Sequence, residues 1–315
     1  MTPASVLGIH HITAICGNPQ VNVDFYAGIL GLRLVKRTVN QDDPYTYHLF
    51  YADAVGTPGT DLTFFPWEHL PPGRIGSGMV VRIAFAVSPM SLPYWQERLE
   101  RYNVPVQPLA SPFGEEGLCF SDPDGLALSL VAVEHRQAVP WPESPVPPDH
   151  QVRGLHSASI VVSHLAPTAN FLQRALGFAL QRRQGTWHRF AVMEGRSGQI
   201  LEVQEDPSVP PGEMGLGTVH HIAWRVADEA HQLEMRQRVM AAGQRATPVI
   251  DRFWFRSVYF WTPGGVLFEL ATDGPGFAVD EDPAHLGERL VLPPWLEARR
   301  AEIEARLPAL TYPPR

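Results

Sequence analysis

The sequence predicts an α+β fold of four βαβββ modules, set out as two tandem halves whose modules pair into two curved-sheet clefts. Three observations carry that prediction. A shift of 146 residues lays Gly8-Ile9-His10 on Gly154-Leu155-His156, and residues 25–31 on 171–177, with no gap between them. A shift of 140 lays residues 121–130 on 261–270. Each copy also repeats one order of strand and helix patterns, the mark of a duplicated supersecondary unit. A single βαβββ module cannot close its own sheet, so modules must pair, each pair enclosing a cleft.

In chain order, residues 7–15 read as a strand. Asn18-Pro19 then supplies an N-cap followed by proline at the first helical position, and the helix that follows stops at Gly31. Strands over 32–39, 45–51 and 61–65 complete the first module. The second module covers 77–135, with a helix in LPYWQERLERY. The third covers 154–205, and the fourth 217–272, with a helix in HQLEMRQRVMAAG. The predicted domains are an N-terminal half over 1–135, a linker over 136–152, a C-terminal half over 153–273 and a tail over 274–315. Five prolines stiffen the linker, which reads as a surface spacer. The tail ends in PPWLEARRAEIEARL, a helix expected to pack on the outside.

Composition narrows the function classes. Net charge is −8 with no basic stripe, which argues against nucleic acid as a partner. No apolar run approaches the ~20 residues of a membrane span, and the N-terminus lacks a signal-peptide pattern. Cys16 and Cys119 have no metal or redox spacing and read as buried strand residues of a cytoplasmic protein. The chain is compatible with a homo-oligomer.

The chemistry concentrates around residues 254–272, WFRSVYFWTPGGVLFELAT, which predict two strands joined at Thr262-Pro263-Gly264-Gly265. Glu269 interrupts the second, apolar strand. A carboxylate buried there costs several kcal/mol unless a cation or donors receive it, the alternative being that it faces solvent. The other modules offer Phe64, Ser129 and Glu202 at the equivalent place. Their first strands offer His10-His11, Val81 or Arg82, His156-Ser157 and His220-His221.

Strand alternation lets one histidine of each adjacent pair face the cleft. If the second does, pairing modules one and four assembles His11, His221 and Glu269. Two imidazoles and one carboxylate are the facial set that leaves positions open on a non-haem Fe(II). If the first does, modules three and four supply His156, His220 and Glu269. Ligand chemistry favours the pairing of one with four. The plain alternative for each pair is one core and one exposed imidazole at a strand end.

In the favoured arrangement His10 and His220 sit on the opposite face or at the rim. Thr13 shares the face of His11. Tyr259 and Arg252 lie on the strand leading into the Pro-Gly-Gly turn, where they can donate to a substrate oxygen or steady an anion. Their plain alternatives are a packed strand aromatic and a solvated loop arginine. Glu202 reads as a vestige without partners.

These segments resemble the vicinal oxygen chelate superfamily, which includes glyoxalase I, extradiol dioxygenases and bleomycin-resistance proteins. GIHHITAI, LVKRTVNQDDPYTYHLFYAD, GTPGTDLTFFPW, VHHIAW and DRFWFRSVYFWTPGGVLFELATDGPGF are similar to hydroquinone-type ring-cleaving dioxygenases. The resemblance implies Fe(II) on His11, His221 and Glu269, with manganese or zinc as replacements in a given preparation. It implies supporting or substrate-contacting roles for His10, Thr13, His220, Arg252 and Tyr259. The reaction implied is O2-dependent opening of a hydroquinone, halogenated or alkylated, so the expected partners are a small aromatic substrate and O2. Two other functions fit the same pattern: a glyoxalase-like isomerase or lyase, which needs a fourth ligand where Phe64 stands, and a non-catalytic binder of aromatic compounds.

Overall fold

The structure is a computed structural model that describes residues 5–312. The first module comprises β1 (Ile9–Cys16), α1 (Pro19–Val23), β2 (Arg33–Asn40), β3 (Asp43–Ala52) and β4 (Asp61–Pro66). The second comprises β5 (Met79–Val87), α2 (Leu92–Arg101), β6 (Gln107–Pro108), β7 (Gly117–Ser121) and β8 (Ala127–Ala132). In the third are β9 (Leu155–Val162), α3 (Leu165–Ala175), β10 (Ala179–Gln184), β11 (Trp187–Ala191) and β12 (Ile200–Glu205). In the fourth are β13 (Thr218–Val226), α4 (Glu229–Ala241), β14 (Ile250–Asp251), β15 (Arg256–Trp261) and β16 (Leu267–Thr272). All four βαβββ modules are therefore present.

The strands form two eight-stranded sheets. One runs β14-β15-β16-β13-β1-β4-β3-β2, and the other β10-β11-β12-β9-β5-β8-β7-β6. Each sheet takes one module from either half: one joins four across β1 and β13, and two joins three across β5 and β9. Antiparallel pairing at these seams closes curved sheets that a single module leaves open. The arrangement drawing His156, His220 and Glu269 together is excluded, because His156 lies on β9 in the other sheet.

Local sequence explains most boundaries. Asn18 Oδ1 accepts from the backbone N–H groups of Gln20 and Val21, capping α1. The expected single helix differs in one respect: after Val23 it widens into a π-helical turn over Asp24–Ile29. That wider turn buries Phe25, Tyr26 and Ala27 in succession. Gly31, at φ +69°, ends it in the left-handed region. Gly265, at φ +86°, closes the turn between β15 and β16.

The linker is less of a spacer than its prolines suggest. Trp141 and Val146 are buried, and the Arg136 guanidinium donates to the carbonyls of Gly59, Arg153 and Ser197. The tail, of which residues 313–315 lie outside the description, seals one end of the first cleft. Phe277, Leu286 and Val291 pack with Val35, Phe50, Trp254 and Phe255. Lys36, fully buried, holds that tail through Asp280, Glu281 and the carbonyl of Phe277. The end of the chain forms 3₁₀ turns over Pro294–Arg299 and then a short α5 (Arg300–Glu304), rather than one long helix.

Candidate metal centre

Register at the β1/β13 seam brings the two second histidines together. His11 stands opposite Ala223, and His221 opposite Thr13, so the imidazoles are diagonal neighbours on one face. Glu269 on β16 lies beside Ala223 and completes the group. The His11 and His221 Nε2 atoms are 3.3 Å apart, and Glu269 Oε2 lies 3.3 and 2.9 Å from them. All three side chains are buried. Ligands about 2.1 Å from one ion sit roughly 3.0–3.4 Å apart, so this triangle has the dimensions of a metal cap.

Two further observations test whether these residues suit an ion. Glu269 Oε2 has no hydrogen-bond partner despite the nearby nitrogens, while Oε1 accepts from the Ser257 hydroxyl at 2.5 Å. Among the described residues, no Lys or Arg pairs with this buried carboxylate. Burial alone would push the Glu269 carboxyl up, but His11 and His221 hold it well below the usual carboxylate range. An ionised, buried carboxylate between two imidazoles requires positive charge, and the donor set fits a divalent cation.

The adjacent histidines are where the structure departs from simple alternation. His10 is the extra residue of a bulge on β1, and His220 of a bulge on β13. Each bulge turns two successive imidazoles toward each other, instead of sending the first to the opposite face or the rim. His10 Nδ1 is 2.9 Å from His11 Nδ1, and His220 Nδ1 is 2.8 Å from His221 Nδ1. Burial, with the neighbouring imidazole, lowers both His10 and His220 to about 3. Both are neutral near pH 7, so each can accept the Nδ1–H of its neighbour and leave that neighbour's Nε2 lone pair free. His10 is enclosed beside Phe255, whereas His220 reaches the cavity wall beside Phe65 and Trp67.

Thr13 lies where expected, its Oγ1 3.0 Å from His221 Nε2. Tyr259, on β15, packs edge-on to His221 with ring centroids 5.5 Å apart. Burial and the Glu269 charge push the Tyr259 hydroxyl up, so it stays protonated as a donor. Arg252 is not on that strand: it follows β14, in the loop before β15. Its guanidinium lies 5.6 Å from the Tyr259 ring and bonds Asp42 at 2.8 Å, so it is neither solvated nor free.

The cavity in front of the triangle measures about 400 Å³. Its walls include Phe50, Phe65, Trp67, Trp254 and Phe255, with His48, Arg252 and Tyr259 as polar points. Several of these were missed from sequence. His48 carries no motif, and only the pairing of β3 with β4 reveals that it faces the site. The fourth-ligand place belongs to Thr63, not to Phe64. Thr63 on β4, opposite Thr13, corresponds to Glu269, whereas Phe64 turns away to pack on Tyr26 at 4.5 Å.

In the second sheet, Ser157, Arg82 and Ser129 occupy the places of His11, His221 and Glu269. Glu202 stands where Thr63 does in the first, and it has partners after all: Arg189 at 2.5 Å, Ser159 at 2.8 Å and Arg82 at 3.6 Å. Arg82 at the place of His221 repels a cation, so this cleft is an ion-pair core. Cys16 is buried as expected, while Cys119 is only partly so. Among the described residues, no helix is long and apolar enough to cross a membrane.

Residues 8–130 and 154–270 match the Glyoxalase/Bleomycin resistance protein/Dioxygenase superfamily. The chain is 43% identical over 301 residues to the ring-cleaving dioxygenase so named, MhqO of Bacillus subtilis (strain 168), covering 96% of each protein. It is 34% identical over 310 residues to the chlorohydroquinone/hydroquinone 1,2-dioxygenase of Sphingobium indicum, again covering 96% of each. A Bacillus subtilis crystal structure described as a dioxygenase superposes with a TM-score of 0.94 at 42% identity, over 98% of this chain and 99% of that one. Glyoxalase I of Zea mays shares the fold alone, at a TM-score of 0.64 and 14% identity, over 84% of this chain and 92% of that one. With both halves of the chain matched and a relative 43% identical over 96% of each protein, the chain belongs to the glyoxalase/bleomycin resistance protein/dioxygenase superfamily.

Proposed function

We propose that this protein is an Fe(II)-dependent, extradiol-type dioxygenase that opens the ring of a hydroquinone or related dihydroxybenzene, with His11, His221 and Glu269 holding the ion. The observation that carries the reading is the buried triangle of two Nε2 atoms and one carboxylate oxygen, 2.9–3.3 Å on a side, at the floor of an aromatic cavity. A 2-His-1-carboxylate face is the donor set of non-haem iron oxygenases. The names of the relatives, among them a hydroquinone 1,2-dioxygenase, support the substrate class. A cavity of about 400 Å³ accommodates one substituted ring.

Bound Fe(II) supplies a Lewis acid for a phenolic oxygen and redox coupling between the ring and O2. The chain supplies the rest. His10 and His220 orient the ligand imidazoles through their Nδ1 atoms. Tyr259 donates its hydroxyl proton toward a substrate oxygen, and Arg252 stabilises negative charge as it develops. Phe50, Phe65 and Trp67 clamp the ring and keep water out. Zinc chemistry of the isomerase kind lacks support here, since the fourth place holds the Thr63 hydroxyl, a weak ligand.

The test is oxygen uptake by protein loaded anaerobically with Fe(II), then offered hydroquinone, chlorohydroquinone and catechol. Uptake fastest with a hydroquinone is expected. Absence of uptake with every dihydroxybenzene overturns the reading, and oxygen-independent turnover with zinc replaces it with a lyase.

A further inference from the structure

A polar chain runs from half-buried His48 through two buried threonines to the triangle. His48 Nε2 lies 2.9 Å from Thr63 Oγ1, which lies 2.8 Å from Thr13 Oγ1, which lies 3.0 Å from His221 Nε2. Thr13 and Thr63 are fully buried, directly opposite each other on β1 and β4. The His48 ring is held between Phe50 and Phe65, at centroid distances of 3.9 and 4.4 Å.

We propose that His48 is a positioning residue that, through Thr63, turns the hydroxyl hydrogen of Thr13 toward the oxyanion of a phenolic substrate. The proposal rests on the ligand assignment just made. Each threonine has one hydroxyl hydrogen, so a chain of two has only two polarities: hydrogens toward His48, or hydrogens toward the triangle. When the His221 Nε2 lone pair is committed to the ion, the Thr13 hydrogen is released from it. Thr13 Oγ1 lies 3.0 Å from a nitrogen of the triangle, so its hydroxyl borders the coordination space that a substrate oxygen would enter. A phenol bound to the cation would give up its proton to solvent, and a donor beside the phenolate oxygen adds to the stabilisation the cation supplies. Thr13 is that donor when Thr63 donates to it, which requires Thr63 to accept from His48 Nε2–H. Burial holds the His48 imidazole well below its ordinary range, so it carries one ring hydrogen, and the proposed polarity requires that hydrogen on Nε2, 2.9 Å from Thr63 Oγ1.

The experiment uses full-length Fe(II)-loaded protein and para-nitrophenol, an unreactive phenol whose phenolate absorbs visible light. Wild type is expected to bind it as phenolate. His48→Phe keeps the aromatic packing and loses the donor, and Thr63→Val breaks the chain at constant shape. Each is expected to weaken phenolate binding about tenfold and to raise the apparent pKa of the bound phenol, with iron content unchanged. His48→Gln, which restores an N–H, should recover most of the loss. Wild-type phenolate affinity in iron-replete His48→Phe and Thr63→Val overturns the role, as does a glutamine variant no better than phenylalanine. If His48→Phe does not accumulate, Thr63→Val decides alone. Failure of wild type itself to bind iron sinks the functional reading and this role together, and is distinguished by the metal content of the wild-type protein.

Discussion

At the scale of residues, Glu269 concentrates the cost of the site. It is a fully buried carboxylate with one oxygen bonded to Ser257 and the other without a hydrogen-bond partner. Stability alone would replace it with an apolar residue of similar volume. Glu269→Gln keeps the shape and the Ser257 contact while removing the charge that draws a cation. We expect iron affinity to fall by more than about 100-fold with the fold intact, measured as metal content after dialysis alongside circular dichroism. Iron retained by Glu269→Gln at wild-type level would remove this residue from the ligand set.

At the scale of elements, two irregularities do the positioning. Bulges on β1 and β13 bring paired imidazoles into contact, where regular strands would separate them. The tail holds the opposite wall: Trp254 Nε1–H donates to Asp280 Oδ1 at 3.0 Å, and Asp280 is held in turn by Lys36. Lys36→Met leaves Asp280 and Glu281 without their cation. We expect a loss of about 3–5 kcal/mol, together with faster proteolysis between residues 276 and 292 and a weaker affinity for aromatic ligands. Denaturant unfolding and limited digestion measure both effects, and an unchanged digestion rate would show that the tail is held by its apolar contacts alone.

At the scale of the molecule, the buried histidines set the response to acid. His10 and His220 titrate at about 3 in the folded chain, and His48 is also lowered, all through burial; each takes up a proton near 6.5 when unfolded. Groups with lowered folded values contribute stability that is present above the unfolded pKa and is lost as pH falls. Asp61, raised by burial and by Asp53, acts in the opposite sense, contributing stability at low pH that is lost as pH rises from about 4. His221 is lowered in the same way, while burial raises Asp122 and Glu281 along with Asp61, so four histidines oppose three carboxyls and the net is a loss in acid. The metal-free protein is therefore expected to lose melting temperature steadily from pH 6.5 toward 4, and thermal scans across that range test the sign.

Much of this was legible in residue order, because duplication leaves register in a sequence. Matching His10-His11 with His156-Ser157, and residues 121–130 with 261–270, exposes four modules, and the ligand types present favour joining the first module to the fourth. Period-two alternation could not reveal the bulges at His10 and His220, since one inserted residue changes which way its neighbour points without changing composition. Nor could it separate Thr63 from Phe64, or find His48, because which residue faces a cleft depends on pairing between β1, β4 and β3. Sequence by itself determined the modules and the donor types available. Tertiary structure decided which of those donors share a face, because long-range strand register is set by contacts between residues more than two hundred positions apart.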